Sequence, residues 1–353
     1  MWRLLVPELV ERGCCAVVFV VAACVASVNM GLSHCLYAQD ATSTTESNSR
    51  RQWQQSEHAI GLVDQGQVVW QYHFGEDLTV PYFDPVATAG GPSQTWNSPT
   101  DHPWHHALWF SWKYINGVNY WEHADDGRPA GRTTWSHVNV TARKDHSAVI
   151  TMQCMYSPAS GRTGRGSDES AAKDIVLRED RTLRIDAPDS SGSYRIDWDS
   201  TFVAQADRVV LDRTPPKEQS WGGYAGLSVR FAEQLTEREL TSESAMAKFG
   251  TGDRHRSRAV AMDYSGTIDG VTSGIAIIDQ STNPRHPTPW YAIRSPVMSY
   301  INAALLADSR LELAHGESIR LRYRIVVHAG RWDASRLREE IRRYGQADEG
   351  GGK

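Results

Sequence analysis

The chain has 353 residues, 40% hydrophobic and 22% charged, with a formal net charge of −5. That length can bury a substantial core, and the composition is that of an ordinary globular protein. A negative balance without a basic stripe argues against nucleic acid as a partner.

Cys14 to Leu32 is a near-continuous apolar run behind Arg3 and Arg12, and the chain turns polar at Gln39. The pattern reads as an export signal over residues 1–38, cleaved after Ala38, with a periplasmic or secreted destination. An uncleaved N-terminal anchor is the alternative and the only membrane contact expected. Four of the five cysteines (14, 15, 24 and 35) fall in this leader, so the mature chain keeps only Cys154 and forms no internal disulfide. Any metal would then rest on His, Asp and Glu.

Residues 39–57 are rich in Ser, Thr, Gln and Asn and read as a flexible linker; a single folded domain is expected over 58–345 and a disordered tail over 346–353. Within the domain, Gln67–Tyr72 is a short apolar run, and Tyr194–Ala204 alternates Tyr194, Ile196, Trp198, Ser200 and Phe202 against polar neighbours. Period two over that length predicts a half-buried strand. Arg310–Leu313, the turn His315-Gly316-Glu317, and the alternation Ile319 to Val327 predict a hairpin whose Arg320, Arg322 and Arg324 make a solvated basic face. Asp333–Gly345 predicts a helix, N-capped by Asp333, with Leu337, Ile341 and Tyr344 on the side that packs on a sheet. Ser157–Lys173 reads as a polar loop. Strands from end to end favour a large antiparallel β-sandwich with a C-terminal helix.

The chemistry concentrates in Asp101–Trp112 (DHPWHHALWFSW) and its continuation. His102, His105, His106, His123 and His137 lie close together, interleaved with Trp104, Trp109, Trp112, Trp121 and Trp135. Flat aromatic faces suit the CH-rich faces of sugar rings, and they also fill cores. Buried imidazoles are costly without partners, which points to a site. Two chemistries fit: a divalent metal held by a set drawn from Asp101, His105 and His106, or a histidine acting as general acid or base. On a strand, His105 and His106 would face opposite ways. Asn116-Gly117 is a hairpin turn that returns Glu122 and His123 toward the histidines. Trp221–Phe231 (WGGYAGLSVRF) reads as structural, and Asn283–Trp290 (NPRHPTPW) displays Arg285, His286 and Trp290 on a proline-stiffened loop.

The strings DHPWHHALWFSWKYINGVNYWE, GRTTW, WGGYAGLSVRF, MDYSG and NPRHPTPWY, in this order between Tyr82 and Arg294, resemble the bacterial family of unassigned function historically labelled methane oxygenase PmoA. In that family the histidine pair is often followed by Arg and Gly; here Ala107 and Leu108 follow. The resemblance implies an exported all-β protein found beside sugar oxidoreductases and sulfatases, and by analogy a galactose-mutarotase-like supersandwich. The label itself does not transfer, since a methane monooxygenase subunit has several membrane spans and this chain has no such run after residue 32.

The combined expectation is an exported enzyme, a hydrolase, lyase or epimerase, acting on a small carbohydrate substrate. His102, His105, His106 and Glu122 would carry catalysis, and Trp104, Trp109, Trp121, Arg285, His286 and Trp290 would bind substrate, with Arg285 clamping an oxyanion or uronate-type carboxylate. The alternatives are a non-catalytic carbohydrate-binding module and, following the historical label, a metal-dependent oxygenase.

Overall fold

The computed structural model describes residues 51–159, 174–216 and 221–350, the last four through the backbone alone. The expected leader, most of the expected linker, most of the Ser157–Lys173 loop and the last three residues lie outside the described residues. The strands are, in chain order, β1 (Arg51–Gln55), β2 (Ala59–Asp64), β3 (Gln67–His73), β4 (Tyr82–Val86), β5 (Leu108–Ser111), β6 (Tyr114–Ile115) and β7 (Val118–Asn119). There follow β8 (Gly131–Ala142), β9 (Ala148–Pro158), β10 (Leu177–Ile185), β11 (Tyr194–Ala204), β12 (Arg208–Asp212), β13 (Gly226–Arg230) and β14 (Thr236–Ser242). The last are β15 (Arg254–Arg258), β16 (Ala261–Ile268), β17 (Val271–Asp279), β18 (Pro289–Ser295), β19 (Met298–Ala303), β20 (Leu311–Ala314) and β21 (Ser318–Ala329), before the helix α1 (Ala334–Gly350).

They form a nine-stranded sheet, β1-β2-β3-β4-β5-β13-β19-β18-β15, an eight-stranded sheet, β14-β16-β17-β21-β11-β10-β9-β8, and a small sheet, β20-β12-β6-β7. The two large sheets pack face to face, as expected for a β-sandwich. β11 shows why: Tyr194, Ile196, Trp198, Ser200, Phe202 and Ala204 are buried while each residue between them is partly exposed. Phe202 stacks on Phe110 of β5 at 5.2 Å, and Trp198 meets Phe83 of β4 at 6.3 Å, so aromatic rings interlock across the layer. Each such buried ring contributes on the order of 1.5–3 kcal/mol relative to exposure.

A charged pair sits inside this layer. The Glu179 carboxylate accepts from Arg181 Nε at 2.7 Å, Tyr156 Oη at 2.5 Å and Ser200 Oγ at 2.6 Å, and Arg181 also donates to Tyr72 Oη of the opposite sheet at 3.1 Å. Every oxygen lone pair that burial would penalise is directed at a donor. Cys154 is buried nearby as a free thiol, which burial pushes up to about 12.

The helix follows expectation at its start: Asp333 Oδ1 accepts from the Arg336 amide at 2.8 Å. Leu337 and Tyr344 are buried against Ala261, Ala276, Ile278 and Val326 on the outer face of the eight-stranded sheet. No helix among the described residues is long and apolar enough to cross a membrane.

Four expectations need correction. Folding begins before residue 58, because β1 pairs with β2 and Trp53 packs edge-on against Trp70 at 5.8 Å, which anchors an otherwise polar strand. The helix continues past Gly345 to Gly350, since Gln346, Ala347, Asp348 and Glu349 are compatible with helix and a lone glycine only weakens one. β20 and β21 are joined by the expected turn yet do not pair, β20 adding to β12 and β21 lying between β11 and β17. The arginine face of β21 is neutralised: Arg320 pairs with Asp199 and Arg324 with Asp197 on the neighbouring β11.

Candidate functional site

Alternation divides the nine-stranded sheet into two faces. Leu108, Phe110, Leu227, Val229, Ala292 and Ile301 enter the sandwich core, whereas Trp109, Tyr291, Ile293, Met298 and Tyr300 form a separate aromatic cluster on the outer face. Arg230, two residues beyond Ser228 on β13, shares that outer face. The histidine segment folds over it. His102 N donates to Pro99 O and His105 N to His102 O, while Ser98 N donates to His105 O, so Asp101–His105 is knitted into consecutive turns.

Ala107 then adopts φ 57° and redirects the chain. His105 and His106 both pack against Trp109, with ring centroids 5.2 and 6.4 Å from it, but make different contacts. His105 stacks between His102 at 4.7 Å and Tyr300 at 5.2 Å. His106 stacks on Tyr82 at 5.0 Å; its Nδ1–H donates to Asn97 Oδ1 and its Nε2 accepts from Thr79 Oγ1.

Asn116-Gly117 makes the expected tight turn with φ 50° and 80°, and Glu122 follows it into the cleft. The cleft, about 320 Å³, is lined by His102, Trp104, His105, Glu122, Trp221, Tyr224, Arg254, Tyr291, Ile293, Met298 and Tyr300. Glu122 accepts from Asn119 Nδ2 at 2.7 Å and Tyr224 Oη at 2.8 Å, and it ion-pairs with the buried Lys113. Burial alone would raise its carboxyl, but Lys113 outweighs that and holds Glu122 below the usual range, hence anionic.

Behind the cleft, Arg230 Nη2 donates to both oxygens of Asp101 at 3.0 Å, and Asp101 Oδ2 lies 3.0 Å from His102 Nδ1. Burial pushes Asp101 upward, yet the arginine prevails and keeps it ionised. With an ionised carboxylate beside Nδ1, His102 could serve as general acid or base through Nε2. His105 differs: burial, then the neighbouring His102 and Arg230, push it well below the ordinary histidine range. It is therefore a neutral ring, and its buried Nδ1 has no partner among the described residues.

Of the expected residues, the fold brings His102, His105, Glu122 and Trp104 together. Trp109 and Trp121 are buried beneath them as packing, at 1% and 4% exposure. His106 lies outside the cleft. The loop bearing Arg285, His286 and Trp290 does not close the site. Arg285 is consumed by the carbonyls of Leu305, Ser309 and Arg310, His286 by Asp279 Oδ2 at 2.8 Å, and the Trp290 indole by Ala259 O in the core. The metal candidates Asp101, His105 and His106 do not converge, because Asp101 turns to Arg230 and His106 to Thr79 and Asn97. Among the described residues no three His, Cys, Asp or Glu side chains gather as metal ligands would.

The reading of the sequence missed Lys113, Trp221, Tyr224, Arg254, Tyr291 and Tyr300. Gly222 carries the local reason for two of them. Its φ is 119° and a Cβ there would lie 2.8 Å from Pro215 O, so only glycine permits the bend that sets Trp221 and Tyr224 on the cleft.

Residues 59–342 match the model of the family of unknown function DUF6807. The chain belongs to DUF6807. None of the curated proteins matches it. Among solved structures, this DUF6807 chain is similar to an α-galactosidase from Lactobacillus brevis, at 11% identity and a TM-score of 0.40, covering 79% of this chain and 40% of that one. The DUF6807 chain thus spans well under half of that enzyme. It is also similar to a putative aldose 1-epimerase from Klebsiella pneumoniae subsp. pneumoniae, at 9% identity and a TM-score of 0.40, covering 82% and 83% of the two chains. A galactose mutarotase-like protein from Lactobacillus casei is similar at 8% identity and a TM-score of 0.37, covering 79% of this chain and all of the other.

Proposed function

We propose that this is an exported protein that binds a carbohydrate in the His102–Glu122 cleft and alters it by proton transfer. The observation that carries the reading is the meeting, in one cleft, of an exposed indole, a histidine and an anionic carboxylate. Trp221 is 54% exposed at the cleft, a surface that water disfavours and the apolar face of a sugar ring would cover. The Glu122 carboxylate and Tyr224 line the same cleft and are of the kind that hydrogen-bonds a polyol.

His102 is the proton carrier, with the Asp101 carboxylate beside its Nδ1. Neutral His105 lines the same cleft, with its Nδ1 buried away from it. Glu122, held ionised by Lys113, accepts a hydroxyl hydrogen or stabilises positive charge developing on the sugar. Hydrolysis by paired carboxylates requires two of them flanking the bond; Glu122 is the sole carboxylate among the lining residues, and Asp101 is engaged by Arg230. The arrangement therefore favours epimerase or lyase chemistry over such hydrolysis. The oxygenase reading has no converging ligand set among the described residues and is not our proposal.

The test is proton exchange in heavy water, followed by NMR over a panel of mono- and oligosaccharides. Deuterium entering a ring C–H position, or an elimination product, that disappears in His102→Ala supports the reading. Saccharide binding with no change in any substrate would instead assign a non-catalytic carbohydrate-binding module.

A further inference from the structure

Charge balance within the cleft singles out one residue. Glu122 is met by Lys113 and Asp101 by Arg230, but no carboxylate of the described residues pairs with Arg254. Its hydrogen-bond partners are neutral: Nε donates to Tyr291 Oη at 3.0 Å and Nη1 to Gly252 O at 2.8 Å. A guanidinium oriented by neutral acceptors and left without a counterion is a ready site for an oxyanion.

The surroundings extend that site in one direction. Arg254 and Arg256 are two apart on β15, so they share a face about 6.7 Å apart along the strand. The Arg256 guanidinium lies 4.7 Å from the centroid of the same Tyr291 ring whose hydroxyl holds Arg254. A second cleft of about 270 Å³, lined in part by Arg256 and Arg258, begins on the other side of Tyr291. β15 is the edge of the nine-stranded sheet, pairing only with β18, so a ligand can run along it without entering the core.

We infer that the substrate is an acidic oligosaccharide, carrying a carboxylate or sulfate on the ring bound at Arg254 and continuing past Tyr291 toward Arg256. This rests on the carbohydrate reading above and names its substrate class. Arg254 takes the clamping role that Arg285, spent on backbone carbonyls, cannot fill.

The experiment is calorimetric titration of the full-length mature protein with trigalacturonate, its neutral methyl ester, and a sulfated trisaccharide, repeated with Arg254→Gln and Arg254→Lys. An acidic trisaccharide should bind about tenfold or more tightly than the ester, and Arg254→Gln should remove that preference, as expected for loss of a charge-assisted hydrogen bond. Arg254→Lys should keep part of it, and added salt should weaken only the acidic ligands. The better of the two acidic ligands identifies the anionic group. Equal binding of acid and ester by the wild type, or an unchanged preference in Arg254→Gln, overturns the inference while leaving the carbohydrate reading intact. Failure of all three to bind overturns both. Should Arg254→Gln not fold, the salt dependence and the Lys variant decide on their own.

Discussion

Lys113 and Glu122 form an ion pair at the cleft, with the lysine side chain 2% exposed and the glutamate 22%. The pair joins the buried sheet surface to the reacting space, so it serves stability and chemistry together. Glu122→Gln leaves a buried ammonium without its counterion and should cost about 1–3 kcal/mol in denaturant unfolding, less than for a fully dry pair because the carboxylate is partly wet. The double variant Glu122→Gln, Lys113→Met should recover most of that stability without recovering turnover. Recovery of both would remove Glu122 from the mechanism.

The environment of His106 predicts a pH dependence. Burial, aided by the His123 charge, lowers its pKa to about 3. The folded value is below the unfolded value of about 6.5, so the unfolded chain binds the extra proton first, and stability falls as pH drops from about 6.5 toward 3. The slope from this one residue is about 1.4 kcal/mol per pH unit at most. His106→Gln should flatten the stability profile over that window relative to wild type; parallel profiles would show that the ring titrates normally.

The Glu179–Arg181 pair predicts a sharp asymmetry. Glu179→Leu alone strands a fully buried guanidinium along with the Tyr156 and Ser200 hydroxyls, and should lose about 3–5 kcal/mol. Replacing both, Glu179→Leu with Arg181→Met, should lose distinctly less, because no charge is left buried alone. Equal losses in urea midpoints would indicate that packing, not charge, dominates at this position.

Trp221 and Gly222 separate platform from scaffold. Because Trp221 is 54% exposed, Trp221→Ala should shift stability by no more than about 0.5 kcal/mol. Saccharide affinity should nonetheless fall several-fold, read by titration. Gly222→Ala, by contrast, forces a Cβ to 2.8 Å from Pro215 O at a φ of 119°, and should lower both stability and affinity. A Trp221→Ala variant with unchanged affinity would dismiss the indole as a binding surface.

Much of this architecture was legible along the chain. Period-two alternation identified β11 residue for residue because a half-buried strand has only two faces, and burial sorts side chains between them. Asn116-Gly117 announced its turn through two positive φ angles, and Asp333 its helix through one side-chain cap. The crowding of His and Trp around His102 marked the right neighbourhood for the candidate site. All of these are local signals, in which cause and effect lie within a few residues.

The composition of the cleft was decided by tertiary structure alone. Tyr224 reaches Glu122 across a separation of 102 residues, and Arg230 reaches Asp101 across 129. Sequence spacing cannot show that β13 lies beside β5, so it cannot show which arginine meets which carboxylate. The same holds for the residues read too generously: Arg285 looks available in the sequence, but the fold supplies it with three backbone carbonyls, and the metal candidates are parted because Asp101 is held by Arg230 and His106 by Thr79 and Asn97. Periodicity follows from the covalent chain and its hydrogen bonds, whereas the partner of a charge depends on which strands the buried core has brought side by side.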